Sequence, residues 1–210
     1  MDAIVAVGGG GHAKVVLGIL KKLKRYRIIG YTDLHDRGMV LGVPYLGSDG
    51  DLASLSAREK SLKAVLAVGQ VGVGMTRHEI WTRVISPALC FPAILSPDAT
   101  VNEEVSIGDS AVVMDGAVIN CGAMIGQGAI VNTNSTIEHD VIIGPWVHVA
   151  PGATISGGAR IGRYSMVGAG ATVIEGIHIA EGCMIGAGAV VVQDLTVAGT
   201  YVGCPARRIK

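Results

Sequence analysis

Aromatic residues are scarce in this 210-residue chain, which has two tryptophans, five tyrosines and one phenylalanine. Globular cores usually take much of their buried area from aromatic rings. Half of the residues are nevertheless hydrophobic, which excludes a disordered chain. There are 31 glycines, about twice the usual share, but with no collagen-like spacing. The core must therefore be built from small aliphatic residues.

An excess of charge of either sign is also missing, because 17 basic residues balance 17 acidic ones. Bulk charge thus gives no attraction for nucleic acid or an anionic membrane. No apolar run approaches the roughly 18 residues of a membrane span, and the run at residues 3–7 is too short for a signal peptide. The four cysteines lack a CxxC pair, which favours free thiols and a cytoplasmic location.

Residues 1–92 alternate between strand-like and helix-like segments. Short apolar runs suit buried parallel strands, and the segments between them carry apolar residues at helical spacing. This alternation predicts a small Rossmann-like α/β domain of βαβ type. The expected strands cover residues 3–7, 27–31 and 64–68, and the expected helices cover residues 12–24 and 75–84.

From residue 95 onward an aliphatic residue recurs at every sixth position, from Leu95 through Val197, over eighteen consecutive hexads. Neither an amphipathic helix nor a half-buried strand has a period that would keep an aliphatic residue at every sixth position over this length. A six-residue period predicts a parallel β-helix of hexapeptide repeats. Three hexads close one triangular coil, so six coils follow, forming a domain over residues 93–202 with a tail at 203–210. Its narrow interior suits Val and Ile, and glycine permits its tight corners.

Stacking of the coils turns sequence position into a spatial argument, since residues 18 apart lie above one another. Gly157 is expected directly above His139, and Cys121 directly below. Beside Asp140, His139 has the orienting carboxylate that a general base needs. The alternative is that His139 is only a solvated surface residue.

His148 lies nine residues, or half a coil, beyond His139. The two histidines therefore face different sides of one prism and could meet only across a subunit contact. This predicts a homotrimer with active sites between subunits. The alternative places His148 at a turn, facing water, and Asn132 in an asparagine ladder at a turn.

A glycine run at residues 8–11 follows the first expected strand and opens a helix. Backbone N–H groups and a helix N-terminus form an anion cradle there, to which His12 and Lys14 add donors. Asp33 follows the second strand, where a carboxylate often accepts hydrogen bonds from a ribose or base. A turn residue is the alternative for Asp33. Together the loop and Asp33 favour a nucleotide diphosphate as ligand.

Several segments together resemble one family of bacterial left-handed β-helix sugar acetyltransferases, the group of sialic acid O-acetyltransferases and nucleotide-aminosugar N-acetyltransferases of the bacillosamine or perosamine type. The resemblance covers essentially the whole chain. It departs at Leu34, where the family often has a second acid, and at residues 69–77, which are longer than expected. The matching segments are GGGGHAKVV at 8–16, GYTD at 30–33, the hexapeptides, IEHD at 137–140, IGPWVH at 143–148 and VGCPARR at 202–208.

The resemblance implies a role for each matching residue. His139 would be the general base and Asp140 its orienting acid, while Asn132 would line the acceptor site. His148 would lie near the acetyl thioester, and the Gly157 N–H would bind the acetyl carbonyl. The remaining residues divide between two ligands: Gly10, Gly11, His12, Lys14 and Asp33 would hold the sugar nucleotide, and Ala169, Ala187 and Arg207 would contact coenzyme A.

The resemblance therefore implies an N-acetyltransferase that moves an acetyl group directly from acetyl-CoA to an amine of a nucleotide-linked 4-amino-4,6-dideoxy sugar, without a metal. One alternative is O-acetylation of sialic acid or a related sugar. A second is a non-catalytic subunit that binds a nucleotide sugar. A zinc carbonic anhydrase on the same β-helix is disfavoured, because the histidines lack the paired spacing that a shared metal requires.

Overall fold

The structure is a computed structural model that describes residues 1–72, 75–86 and 89–210. The long stretch at residues 69–77 is thus described except for Val73 and Gly74. The described residues fall into two compact units. The first, called here the N-terminal unit, comprises residues 1–69 and 76–97. The second, called the β-helix unit, comprises residues 70–75 and 98–210.

The N-terminal unit is built on a parallel sheet in the order β2-β1-β3. The central strand is almost wholly buried, and α1 packs an apolar face that includes Leu17 and Leu20. A 3₁₀ turn, Asp49–Asp51, precedes α2. The expected strands and helices are confirmed to within two residues: β1 Asp2–Val7, α1 Gly11–Leu23, β2 Tyr26–Thr32, β3 Lys63–Leu66 and α3 Met75–Val84. The unit also contains helix α2, Leu52–Arg58, which was not expected, and the short strand β4, Ile94–Leu95.

Close packing fixes one glycine in this unit. A Cβ at Gly30, in β2, would lie 2.2 Å from Cγ of Leu46 and 2.8 Å from the carbonyl oxygen of Pro44. Distances this short are sterically forbidden. Gly30 therefore lets the segment after β2 return across the strand, where Tyr31 N–H donates to the same Pro44 oxygen at 2.9 Å.

Hexapeptides form the β-helix unit, with a short strand at each expected position. The strands are β5 Thr100–Val101, β6 Ser106–Ile107, β7 Val112–Val113, β8 Val118–Ile119, β9 Met124–Ile125, β10 Ile130–Val131, β11 Thr136–Ile137, β12 Ile142–Ile143, β13 His148–Val149, β14 Thr154–Ile155, β15 Arg160–Ile161, β16 Met166–Val167, β17 Thr172–Val173, β18 His178–Ile179, β19 Cys183–Ile185, β20 Val190–Val191, β21 Gly199–Val202 and β22 Arg207–Arg208.

Three sheets form the sides of the prism. Within this unit, side one runs β7-β10-β13-β16-β19-β21-β22, side two runs β5-β8-β11-β14-β17-β20, and side three runs β6-β9-β12-β15-β18. Strands one coil apart pair in parallel at an offset of 18 residues, as in Ile137 opposite Ile155. The second residue of most pairs points inward and is buried, which confirms the hexapeptide register.

The last coil is shorter than the sequence predicts. The eighteenth hexad position, Val197, is 53% exposed, whereas Leu195 is buried and pairs with Ile179. From there the offset between coils is 16 residues, as in Cys183 opposite Gly199. The expectation of a register unbroken through Val197 was wrong. An aliphatic residue at the right spacing cannot by itself show that the chain still follows the repeat.

The tail folds back and covers the end of the prism. Strand β22 pairs in antiparallel fashion with β21, and Ala206 N–H donates to the carbonyl oxygen of Val190 at 2.8 Å. These contacts satisfy backbone groups that the last coil would otherwise leave open. No helix in the described part of the chain is long and apolar enough to cross a bilayer.

Candidate functional site

His139 and Asp140 form an exposed pair at the corner between sides two and three. Nδ1 of His139 lies 2.9 Å from Oδ2 of Asp140. A carboxylate can only accept, so Nδ1 carries the proton and Nε2 has a free lone pair. The side chains are 66% and 73% exposed. Asp140 adopts the left-handed backbone conformation of the corner (φ 60°). The pair is therefore oriented by the fold and open to a ligand.

Gly157 lies directly against the imidazole, one coil away. A Cβ at this position would be 2.6 Å from Nε2 of His139, so the ring can occupy this place only next to a glycine. Among the described residues, none accepts a hydrogen bond from the Gly157 N–H. A free backbone donor thus adjoins the free nitrogen of a histidine.

The surroundings of His139 make it a stronger base. The hydrogen bond to Asp140 is the largest influence and raises the pKa of His139 above its ordinary value of 6.5. Slight burial of the ring opposes this rise, and the negative charges of Asp140 and Glu138 add to it. A histidine of this kind is suited to take a proton near neutral pH.

His148 is buried, with 6% of its surface exposed, and lies in strand β13 of side one. The expectation of a turn position facing water was therefore wrong. Oδ1 of Asn132 accepts from the Thr133 N–H at 2.8 Å, so Nδ2 of Asn132 faces Nε2 of His148 at 3.0 Å. Nδ1 of His148 donates to the Gln70 carbonyl oxygen at 3.0 Å. His148 is thus held as the Nδ1–H tautomer, on a different side of the prism from His139.

A separate cavity of about 480 Å³ lies at the start of α1 in the N-terminal unit. The expected residues Gly10, Gly11 and Lys14 line it, together with Arg37 and Met39. A Cβ at Gly10 or Gly11 would meet nothing within 4 Å, so this backbone faces open space. The helix N-terminus and two cations make the cavity suitable for an anion. Arg37, four residues after Asp33, was missed because no sequence pattern links it to the glycine run.

Asp33 fixes the glycine run from beside this cavity. Its Oδ2 accepts from the Gly9 N–H at 2.8 Å and from Nε of Arg37 at 3.1 Å. Partial burial would raise the pKa of this carboxyl, but the N–H groups of Gly9 and His35 and the Arg37 guanidinium hold it below its ordinary value of 3.8. Asp33 is therefore an ionised anchor for the loop.

Beside Asp33, a cleft of about 190 Å³ opens at the carboxyl ends of the parallel strands. Ligands of open α/β sheets bind at such ends. Leu34, the noted departure from the family pattern of two acids, lies in this cleft. The cleft is lined by Val7, Gly8, Asp33, Leu34, Asp49, Val68, Ile80 and Arg83.

One expected binding residue, His12, does not line either of these cavities. His12 packs against Gly69, where a Cβ would be 3.2 Å from Cβ of His12. Arg77, at the end of the long stretch, is buried, and its Nη1 donates to the carbonyl oxygens of Leu66 (3.0 Å) and Val68 (2.6 Å). Burial lowers the pKa of the Arg77 guanidinium to about 9, which leaves it charged at neutral pH. Arg77 thus supports a wall of the cleft from below.

Ala169 and Ala187 are exposed and stack on one edge of the prism, where the Gly188 N–H donates to the Ala169 carbonyl oxygen at 2.9 Å. Thr133, beside Asn132, lies on the same edge two coils below Ala169. Arg207 is exposed in β22. The structure thus joins Asn132 and the two alanines along one edge. Among residues 1–72, 75–86 and 89–210, no three His, Cys, Asp or Glu side chains are grouped to hold a metal ion.

A hexapeptide β-helix with an exposed, carboxylate-oriented histidine is typical of acyltransferases. The comparisons agree. The family model described as the PglD N-terminal domain matches residues 3–84, and the bacterial transferase hexapeptide model matches residues 122–157 and 158–193. None of the curated protein sequences compared with the chain matches it.

Solved structures resemble the whole chain. The acetyltransferase domain of PglB from Neisseria gonorrhoeae, in complex with acetyl coenzyme A, is 35% identical with a TM-score of 0.92, over 99% of each chain. PerB from Caulobacter crescentus, in complex with CoA and GDP-perosamine, is 32% identical with a TM-score of 0.91, over 100% of this chain and 98% of that one. WeeI from Acinetobacter baumannii, at 22% identity and a TM-score of 0.86, shares the fold.

The chain belongs to the family of hexapeptide-repeat sugar acetyltransferases that carry a PglD-type N-terminal domain. It is an acetyl-CoA-dependent sugar acetyltransferase. The predictions of the family, of a left-handed β-helix and of an N-terminal α/β domain are confirmed.

Proposed function

We propose that the protein transfers an acetyl group from acetyl-CoA to the amino group of a nucleotide-linked 4-amino-4,6-dideoxy sugar. The observation that carries this proposal is the free Nε2 of His139, oriented by Asp140 and adjacent to the free N–H of Gly157. A base and an oxyanion donor at one point are what acyl transfer from a thioester requires. The family membership and the N-acetyltransferase PerB support the choice of an amine.

The reaction follows from these groups. The amine nitrogen attacks the thioester carbonyl carbon, and its proton passes to Nε2 of His139. Asp140 keeps the opposite nitrogen protonated and stabilises the resulting imidazolium. The Gly157 N–H donates to the carbonyl oxygen as negative charge develops on it. Collapse breaks the carbon–sulfur bond, and the departing thiolate takes the proton back from His139.

The nucleotide belongs in the N-terminal unit. Its diphosphate would lie at the start of α1, on the Gly10 and Gly11 backbone and near Lys14. Asp33 holds this loop in place and borders the cleft suited to the nucleoside. His12, packed against Gly69, would support the loop rather than contact the phosphates.

The residues that would bind acetyl-CoA would come from a different copy of the chain than the one that supplies His139. His148 lies on side one and Asn132 on the edge where that side ends, away from the corner that carries His139, while Ala169 and Ala187 continue the same edge. Small side chains there leave room for the pantetheine arm, and Arg207 supplies positive charge for a phosphate. A homotrimer would bring side one of one subunit to the His139 corner of the next.

Thiol release tests the function. The purified protein is incubated with acetyl-CoA and with GDP-, UDP- or TDP-linked 4-amino sugars, and free CoA thiol is measured with the acetylated product. We expect thiol release with the amino sugar linked to one of the three nucleotides. A sugar that carries no nucleotide should give no release. Turnover of sialic acid and of none of the amino sugars would replace the proposal with O-acetylation. Binding of nucleotide sugars without thiol release would show a non-catalytic subunit.

A further inference from the structure

A ladder of polar side chains runs along the corner that leads to His139. Nδ2 of Asn102 donates to Oδ1 of Asn120 at 2.7 Å, and Nδ2 of Asn120 donates to Oε2 of Glu138 at 2.9 Å. The three residues are 18 apart, so each rung lies on a successive coil. The ladder ends on the carboxylate next in sequence to His139.

The ladder restrains a side chain that would otherwise be mobile. Glutamate has several rotatable bonds, and an exposed one keeps most of its rotamers. Here Asn120 is oriented from below by Asn102 and holds one carboxylate oxygen of Glu138, while the structure shows no donor for Oε1 among the described residues. The charge of Glu138 is therefore fixed in position, and no Lys or Arg of the described ranges pairs with it.

Within the part of the chain that the structure describes, few other groups face His139. Asp140 holds Nδ1, and Gly157 covers the ring from the coil above. Cys121 lies in the coil below, where its carbonyl oxygen accepts from the Asp140 N–H at 3.1 Å. Of these neighbours, Glu138 and Asp140 carry charge, and Asp140 already makes the orienting hydrogen bond. Glu138 is left with a purely electrostatic influence on the ring.

We propose that Glu138 is a positioning residue for the acetyl transfer: the asparagine ladder holds its negative charge beside His139, where it stabilises the imidazolium formed as the acceptor amine loses its proton. This inference rests on the proposed function. The electrostatics of the site agree, because the negative charge of Glu138 raises the pKa of His139.

Glu138→Gln tests the proposal with little disturbance, since the glutamine oxygen still accepts from Asn120. The acidic limb of kcat/KM should move to lower pH by about half a unit, the size expected of one screened charge. The rate above the limb should fall about two-fold, because a weaker base is a slower one. If Glu138 served only the folding of the protein, the substitution would lower the rate and leave the acidic limb of kcat/KM at the same pH.

Glu175→Gln is the matched control. Glu175 lies two coils above His139 on the same edge, about 10 Å away at the usual strand spacing, so salt screens its charge. We expect the pH profile of kcat/KM and the rate of this variant to equal those of the wild type. Asn120→Ala should shift the limb in the same direction as Glu138→Gln but by less, because it frees the carboxylate without removing it.

An NMR titration of the His139 ring separates this inference from the proposed function, since it needs no substrate. The titration midpoint should fall by about half a unit in Glu138→Gln and stay unchanged in Glu175→Gln. An unchanged midpoint in Glu138→Gln would overturn the role of Glu138, whatever the enzyme acetylates. A wild type that turns over no amino sugar would overturn the proposed function, and with it the role in amine deprotonation.

Discussion

At the scale of single residues, the candidate site depends on the imidazole of His139 and on the lack of a side chain at Gly157. His139 stands largely in solvent, so packing does not hold it, and Asp140 must orient it. Gly157 lets the ring lie against the next coil, and the same glycine offers its N–H. In the proposed mechanism this small residue therefore both makes room for the ring and supplies the oxyanion donor.

Replacing His139 with Ala should lower kcat by about 10²–10⁴-fold, the usual contribution of a positioned base. Binding of the nucleotide sugar, measured by calorimetry, should change little, because His139 carries no part of that affinity in the proposal. His178→Ala is the control, since His178 is exposed on side three and should retain full activity. Unchanged turnover in His139→Ala would contradict the assignment.

Asp140→Asn should change the pH dependence of the reaction. The raised pKa of His139 means that wild-type kcat/KM declines as pH falls through a value above 6.5, where the base becomes protonated. Without the carboxylate the pKa of His139 drops, so this decline should move down by about one pH unit. The plateau should also fall, because an amide can hold the wrong tautomer. A limb that stays in place would show that Asp140 does not act on His139.

The sequence predicted His139, Asp140 and Gly157 as neighbours because the repeat converts a spacing of 18 into contact. It could not predict the burial of His148. The carbonyl group that covers it belongs to Gln70, far away in the chain and outside the repeat. Spacing arguments are reliable only within a periodic segment.

At the scale of elements, helix α1 provides the clearest binding surface. It has no capping side chain at Gly10 and no acidic residue in its first turn, so its N-terminal N–H groups and partial positive charge remain available. Lys14 and Arg37 border the same cavity. The sequence predicted this loop from its glycines, but the contribution of Arg37 depends on how the chain returns after β2.

Lys14→Gln should weaken nucleoside diphosphate binding about five-fold, the effect of losing one charge-assisted contact worth about 1 kcal/mol. The difference should shrink as salt is raised, because exposed charges are screened. Lys60→Gln removes the same charge from a turn away from the cavity and should bind as the wild type does. Isothermal calorimetry with UDP, GDP and TDP measures all three proteins. Equal affinity in Lys14→Gln would place the phosphates elsewhere.

At the scale of the whole molecule, one prism carries the two histidines on different sides, so the proposed mechanism needs two copies of the chain to bring them together. The hexads predicted the prism and its sides. They did not predict its end, because Val197 keeps the period while Leu195 takes the interior position. A repeat shows where the coils are, but the closing contacts depend on residues outside the pattern.

Mixed assemblies test whether subunits share a site. His139→Ala and His148→Ala variants should each be nearly inactive, and each should first be checked for a native melting temperature. Co-expressed and purified as mixed oligomers, they should regain about a quarter of wild-type activity, because random assembly joins two intact histidines at that fraction of sites. Activity no higher than that of the separate variants would show that each subunit supplies both histidines to its own site.

Successive coils of the prism are separated by a constant distance, so lengths along the prism change in fixed steps. The edge from Thr133 to Ala187 spans three coils, or about 14 Å at the usual strand spacing. Duplicating one whole coil within that edge would preserve every lateral contact yet move the C-terminal residues outward by about 4.8 Å. If coenzyme A lies along this edge as proposed, the distance between its two ends can be changed only in steps of one coil.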